Sequence, residues 1–275
     1  MPHIEVNGVP LFVDQIGKGP AVVLLHGFAS EGRSLRSLVW ELDRHFTTIS
    51  VDLIGHSRSG SPLALDHYEL AQIACDLVEV LRASGFQRAA WFGHGLGGRI
   101  ALEVALRFPD VVAALVLEGT QPGVRDPGER AARRVGREAL ADRIEADGIP
   151  AFVEFWESLP LWESLRARLT APQLEGLQKE RYSHTARGLA KVMRLAGVGG
   201  DEWVGDRLFE VTVRVLLTSG RLDLEAVASA EWMATQLPDA TVRILDGAGH
   251  AAHLEEPEEF GAVVRTFLLG AHRES

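Results

Sequence analysis

Ala89-Ala90-Trp91-Phe92-Gly93-His94-Gly95-Leu96-Gly97-Gly98-Arg99 runs from an apolar segment, through a glycine-rich turn, into a helical pattern. The run Ala89–Gly93 is short and uninterrupted, as expected of a strand buried on both faces. From Leu96 to Phe108 the apolar spacing becomes helical. Glycines at 93, 95 and 97 let strand and helix approach across a tight corner. A buried strand feeding a helix in this way is the repeating unit of a parallel sheet, so this stretch decides the fold class.

The same alternation extends outward. Ile4–Val6 and Pro10–Gln15, joined by Asn7-Gly8, read as a hairpin. Ala21–Leu25, Thr47–Val51, Val112–Glu118, Val211–Thr218 and Thr241–Leu245 read as further strands. Helical patterns lie at Ser34–Arg44, His67–Ser84, Glu225–Gln236 and Pro257–Leu269. The prediction is an α/β protein with a mainly parallel sheet and helices on both faces. Residues 121–207 break the rhythm: they are helical, arginine-rich and aromatic, with Phe152, Phe155, Trp156, Trp162, Tyr182 and Trp203. They read as a helical cap inserted into a core formed by 1–120 and 208–275.

Composition narrows the function. The chain has 275 residues, 46% of them hydrophobic and 24% charged, which is ordinary for a globular protein. Its net charge of −10 argues against a nucleic-acid binder and against an electrostatic membrane anchor. Apolar runs stay short of the ~20 residues of a membrane span. Met1–Pro10 lacks the basic and apolar regions of a signal peptide, so a cytoplasmic protein is expected. The single cysteine, Cys75, excludes an internal disulfide and a cysteine-based metal cluster. Neither a metal nor a cofactor is expected, and the partner expected is a small molecule. A monomer or small homo-oligomer fits this size.

The glycine turn is set like a nucleophile elbow, G-x-S-x-G, with glycine at the central position: Gly93-x-Gly95-x-Gly97. Asp223 follows a predicted strand in Thr218-Ser-Gly-Arg-Leu-Asp223, and His250 follows the last strand. In that order a carboxylate can fix an imidazole tautomer and the imidazole can act as base. His253 reads as supporting structure, as do Asp52 and Gly55-His56-Ser57. The main-chain N–H groups of Phe28 and Leu96 would form an oxyanion hole that needs no serine side chain. Ser30, Ser57, Ser219 and Cys75 are the remaining nucleophiles to consider. Cys75 lies in an apolar helical pattern and reads as an inert thiol.

The segments Leu24-Leu-His-Gly-Phe28, Val51-Asp-Leu-Ile-Gly-His-Ser-Arg-Ser59, Gly93-His-Gly-Leu-Gly-Gly98, Gly220-Arg-Leu-Asp223 and Gly247-Ala-Gly-His-Ala-Ala-His-Leu-Glu-Glu-Pro257 resemble the α/β-hydrolase superfamily. Gly97-Gly-Arg99, Glu129-Arg-Ala-Ala-Arg-Arg134, Phe152-Val-Glu-Phe-Trp-Glu-Ser-Leu-Pro160 and Arg181 with Gly188-Leu-Ala-Lys-Val-Met-Arg194 resemble one family in particular. It is 2-succinyl-6-hydroxy-2,4-cyclohexadiene-1-carboxylate synthase of menaquinone biosynthesis, which eliminates pyruvate from a polycarboxylate without a cofactor.

The resemblance implies the α/β-hydrolase fold and a carboxylate substrate. It also implies that Arg99, Arg143 and Arg181 hold carboxylates, that Trp156 walls the pocket and that His94 contacts substrate. Arginine suits this task because its planar fork makes paired charge-assisted bonds. That family carries serine where this chain has Gly95. It also differs at Gly197-Val-Gly-Gly-Asp-Glu-Trp203, where Asp201 and Glu202 add negative charge near the expected anion site. Gly95 leaves three readings: an inactivated or altered copy, a divergent enzyme using the His250–Asp223 pair directly, or a binding-only pseudoenzyme. A non-serine hydrolase, a C–C lyase and a cofactor-free oxygenase driven by that base are the alternative chemistries.

Overall fold

In the computed structural model, which describes residues 3–196 and 202–273, eighteen strands and α-helices follow in order. They are β1 (His3–Val6), β2 (Val9–Gly17), β3 (Ala21–Leu25), α1 (Arg36–Leu42), β4 (Thr47–Val51), α2 (Leu70–Ala83), β5 (Ala89–His94), α3 (Leu96–Arg107) and β6 (Val112–Glu118). Four helices come next: α4 (Pro127–Ser158), α5 (Glu163–Arg168), α6 (Ala171–Tyr182) and α7 (Ala186–Leu195). The chain closes with β7 (Val215–Gly220), α8 (Leu224–Ala234), β8 (Ala240–Leu245), α9 (Ala252–Glu255) and α10 (Pro257–Arg273).

The strands form one eight-stranded sheet in the order β1-β2-β4-β3-β5-β6-β7-β8. The first two are antiparallel to their neighbours, and from β4 to β8 every pairing is parallel. Successive side chains divide between two cores, as the two-residue period of a strand requires. Val23, Leu25, Trp91, Leu115 and Leu117 face α2, α3 and the cap helices. Val22, Leu24, Phe92, Ala114 and Val116 face the other way, against Leu38 and Leu42 of α1 and Phe260, Val264 and Leu268 of α10. Both faces are therefore apolar, which is why these strands read as continuous hydrophobic runs.

Several boundaries differ from the sequence reading. The strand expected at Val211–Thr218 is Val215–Gly220. Residues Gly205–Glu210 form a 3-10 turn, and the Val211 N–H closes it on the Leu208 carbonyl. The helices expected from Ser34 and His67 start instead at Arg36 and Leu70, each after a 3-10 turn.

Between β6 and β7 the described residues are helical or irregular. α4 is broken at Gly148, where φ is 80° just before Pro150. Asp126 caps its start by accepting from the Glu129 N–H. α7 joins cap to core. Its Leu189, Ala190, Val192 and Met193 are buried, and the Lys191 ammonium donates to the Pro62 and Leu63 carbonyls. Arg194 ties it to Glu138, Asp142 and Glu145 of α4. The segment 197–201, which includes Asp201, lies outside the described residues.

Candidate active site

The corner at Gly95 is the tightest feature of the fold. Gly95 turns at φ 52°, ψ −109°, outside the space open to ordinary L-residues. A Cβ on Gly97 would stand 2.3 Å from the Leu25 carbonyl oxygen, and one on Gly98 would stand 1.9 Å from Thr120 Oγ1. Only glycine lets α3 sit this close to β3 and β6. The corner points into a cavity of about 200 Å³ between sheet and cap, and its lining includes Phe28, His94, Leu96, Arg99, Trp156, Trp162, Asp223 and His250.

The loops after β7 and β8 bring the acid and base together. His250 Nδ1 lies 2.6 Å from Asp223 Oδ2. The other Asp223 oxygen accepts from the Ala226 N–H and caps α8. Burial alone would raise the Asp223 pKa. The hydrogen bond with His250 and the imidazole charge outweigh it and hold the carboxyl below its ordinary range. A Cβ built on Gly95 would lie 3.9 Å from His250 Nε2. The edge of the Trp162 ring packs on His250, with centroids 5.4 Å apart.

Phe28 and Leu96 both border the cavity. Leu96 opens α3, so its N–H belongs to a first turn that lacks intrahelical acceptors and favours negative charge. Two buried histidines stiffen the Phe28 loop. His26 Nε2 accepts from the Leu53 N–H and His56 Nε2 from the Ala29 N–H. Both rings must be neutral at Nε2 to do so. Burial lowers the His26 pKa to about 4 and holds His56 well below its usual value. Beneath them Asp52 pairs with Arg58 and accepts from the Gly32 N–H.

The expected carboxylate-binding side chains are not all brought together. Arg99 lines the cavity, but it is buried against Glu103 at 3.2 Å and donates to the Glu202 carbonyl, leaving Nε without a partner among the described residues. Arg181 lies behind Trp162, with its guanidinium over that ring and 2.8 Å from Glu157. It borders a smaller neighbouring crevice, also lined by Phe28, Ser30 and His94. Arg143 does not reach the cavity. It is 60% exposed on α4, over the Phe155 ring and 3.9 Å from Asp147. Its neighbours Ala141 and Ile144 take the buried face of the same turns and leave Arg143 on the outer one.

Trp156 walls the cavity, packed on Phe28 and Phe152. The indole Nε1 atoms of Trp156 and Trp162 are both buried without a hydrogen-bond partner among the described residues. The sequence reading missed the placement of Trp162, of Arg133 and of Glu118. Arg133 reaches the rim from α4 and pairs with Glu129 and Glu225. Glu118 carried a readable signal, since it is a charged residue closing the apolar strand Val112–Glu118. Of the other nucleophiles, Ser57 Oγ donates to Glu31 and Ser219 Oγ to the Gly220 carbonyl. Cys75 is half-buried on α2, away from the cavity.

With this geometry in hand, comparison with known proteins is direct. A family model described as alpha/beta hydrolase fold matches residues 20–257. This chain belongs to the α/β-hydrolase family. A Bacillus subtilis (strain 168) protein provisionally named 2-succinyl-6-hydroxy-2,4-cyclohexadiene-1-carboxylate synthase is 34% identical over 248 residues, 90% of each chain. The synthase of that name from Pectobacterium atrosepticum is 28% identical, over 90% of this chain and 94% of its own. Among solved structures, MenH from S. aureus superposes with a TM-score of 0.90 at 27% identity, covering 94% of this chain and 98% of its own. This α/β-hydrolase thus stands beside menaquinone-biosynthesis synthases in sequence and in fold. Among its described residues, no helix is long and apolar enough to cross a membrane.

Proposed function

We propose that this α/β-hydrolase is a cofactor-free enzyme that eliminates pyruvate from a small anionic polycarboxylate, with His250 acting directly as the base. The observation that carries the reading is the His250–Asp223 pair at 2.6 Å beside a glycine elbow. Asp223 holds the Nδ1 proton, so the Nε2 lone pair is available to the cavity. His250 takes a proton from the carbon next to the developing double bond. That electron pair forms the new C=C bond, the bond between the substrate carbon and the oxygen of an enolpyruvyl ether breaks, and pyruvate leaves as its enolate and is then protonated on carbon. The Phe28 and Leu96 N–H groups face the oxyanion.

Charge and donors around the cavity suit a carboxylate. Arg99 and Arg133 border the cavity, and a bound carboxylate would compete for them with Glu103 and with Glu129 and Glu225. Gly95 has no hydroxyl, so acylation at the elbow is closed to this chain. A positioned base is worth 10²–10⁴-fold by itself, enough for useful proton abstraction.

The test is release of pyruvate from the pyruvyl-bearing precursor of 2-succinyl-6-hydroxy-2,4-cyclohexadiene-1-carboxylate. Wild type should release it and H250A should not. A wild type that binds the precursor but never turns it over would support the pseudoenzyme reading instead.

A further inference from the structure

Behind the elbow lies a second carboxylate–imidazole group. Glu118, at the end of β6, is fully buried. Its Oε1 accepts from the His253 main-chain N–H at 3.0 Å. Its Oε2 lies 2.8 Å from His253 Nδ1 and 3.4 Å from His94 Nδ1. The His94 and His253 rings are 4.8 Å apart, and those of His94 and His250 are 5.0 Å apart. The far edge of His94 faces the oxyanion loop, because a Cβ on Gly27 would meet its Cδ2 at 2.7 Å and its Nε2 at 3.2 Å. His94 also lines the main cavity.

A carboxylate removed from water needs a compensating charge. The partners that face Glu118 are these two imidazoles. Burial opposes its ionisation, yet the charges of His253 and then His94 hold its pKa far below the usual range. The cluster therefore holds Glu118 ionised beside both imidazoles. Of the three, His94 borders the main cavity.

We infer that His94 is the second acid–base residue of this site, a proton donor beside the base His250, with Glu118 and His253 as the positioning residues packed against it. This rests on the elimination proposed above. In that reaction His250 Nε2 gains the carbon-bound proton, His94 Nε2–H gives one to the departing pyruvyl group, and exchange with solvent resets both rings. The groups facing His94 are Glu118, His253, His250 with its partner Asp223, and His26, with Arg99 in the same cavity. A donor at this position takes the place of the acid–base relay that an elbow serine would share.

Imidazole ¹⁵N NMR and pH–rate profiles on the full chain test this. In E118Q the His94 titration midpoint should fall by about one pH unit or more, because a neighbouring negative charge is removed. The His250 resonances should keep their wild-type pattern. H94Q should lose roughly 10²-fold in kcat with a much smaller change in KM. In E118Q the alkaline limb of the rate profile should move to lower pH, since the donor loses its proton earlier.

An unchanged His94 titration in E118Q overturns the inference whether or not pyruvate is released. So does an H94Q enzyme with wild-type kcat and profile, and so does a stoichiometric metal ion that is lost from E118Q, which would make the three side chains a ligand cage. If H250A keeps full turnover, the elimination mechanism itself fails, a result distinct from these.

Discussion

A side chain at position 95 would begin 3.9 Å from Nε2 of His250, so a hydroxyl one bond further out comes within reach of the imidazole. G95S should therefore become labelled at residue 95 by a fluorophosphonate, which wild type is not. The double variant G95S/H250A should react at least ~100-fold more slowly. The serine must also adopt φ 52°, ψ −109°, which costs about 1–3 kcal/mol, so the thermal midpoint should fall while reactivity appears. An unlabelled, folded G95S would show that the elbow does not present a hydroxyl to His250.

D223N keeps the shape of the acid and removes its charge. An asparagine oxygen can still cap α8 at the Ala226 N–H, so stability should change little. The imidazole, however, loses the partner that fixes its tautomer. Turnover should fall by about 10²–10⁴-fold with KM changed much less, as read in steady-state kinetics.

Arg133 and Arg143 lie on the same helix and should behave oppositely. R133A removes a cation from the cavity rim and should raise KM for a polyanionic substrate several-fold. R143A removes an exposed charge over Phe155 and should leave KM and kcat at wild-type values. Equal effects of the two would place the substrate elsewhere on the cap.

The loop histidines predict acid sensitivity. His26 and His184 have pKa values lowered by burial to about 4, and burial holds His56 well below its usual value. The unfolded chain takes up these protons near pH 6.5 and the folded chain does not, so stability is full above 6.5 and falls as pH drops toward 4. Protonation also removes the acceptors for the Ala29, Leu53 and Ser57 N–H groups. Urea midpoints measured between pH 7 and 4.5 should fall by an amount that H184Q reduces. A flat profile would mean that burial does not depress the pKa values of these rings.

Glu180 has the opposite sign. Burial, then the charge of Glu31, raises its pKa to about 7. Its contribution is present below the unfolded value near 4.5 and is lost as pH rises through 7. E180Q should therefore raise the thermal midpoint at pH 8 and leave it nearly unchanged at pH 5. A gain of equal size at both would show that charge is not the cause.

Much of this was legible in the chain because short-range rules operate there. The strand Ala89–His94, the glycine turn and the helix from Leu96 follow from apolar period and steric need. Val211–Val213 read as strand because their residue types suit one. The preceding 3-10 turn takes the Val211 N–H, and β7 pairs with β6 only from Val215. Arg143 was indistinguishable from Arg133 in one dimension, since each is a cation on the same arginine-rich helix. The face of the helix each occupies and the pairing of each with its neighbours separate them.

The sequence by itself determined the α/β alternation, the missing hydroxyl at Gly95 and the order of elbow, Asp223 and His250, because periodicity, residue identity and chain order are local properties. Only the tertiary structure decided that Trp162 edges onto His250, that Arg181 lies behind that ring, and that Glu118 stands between His94 and His253. Those contacts join segments far apart in the chain, and the closing of sheet against cap is what excludes water there and sets which charges must pair.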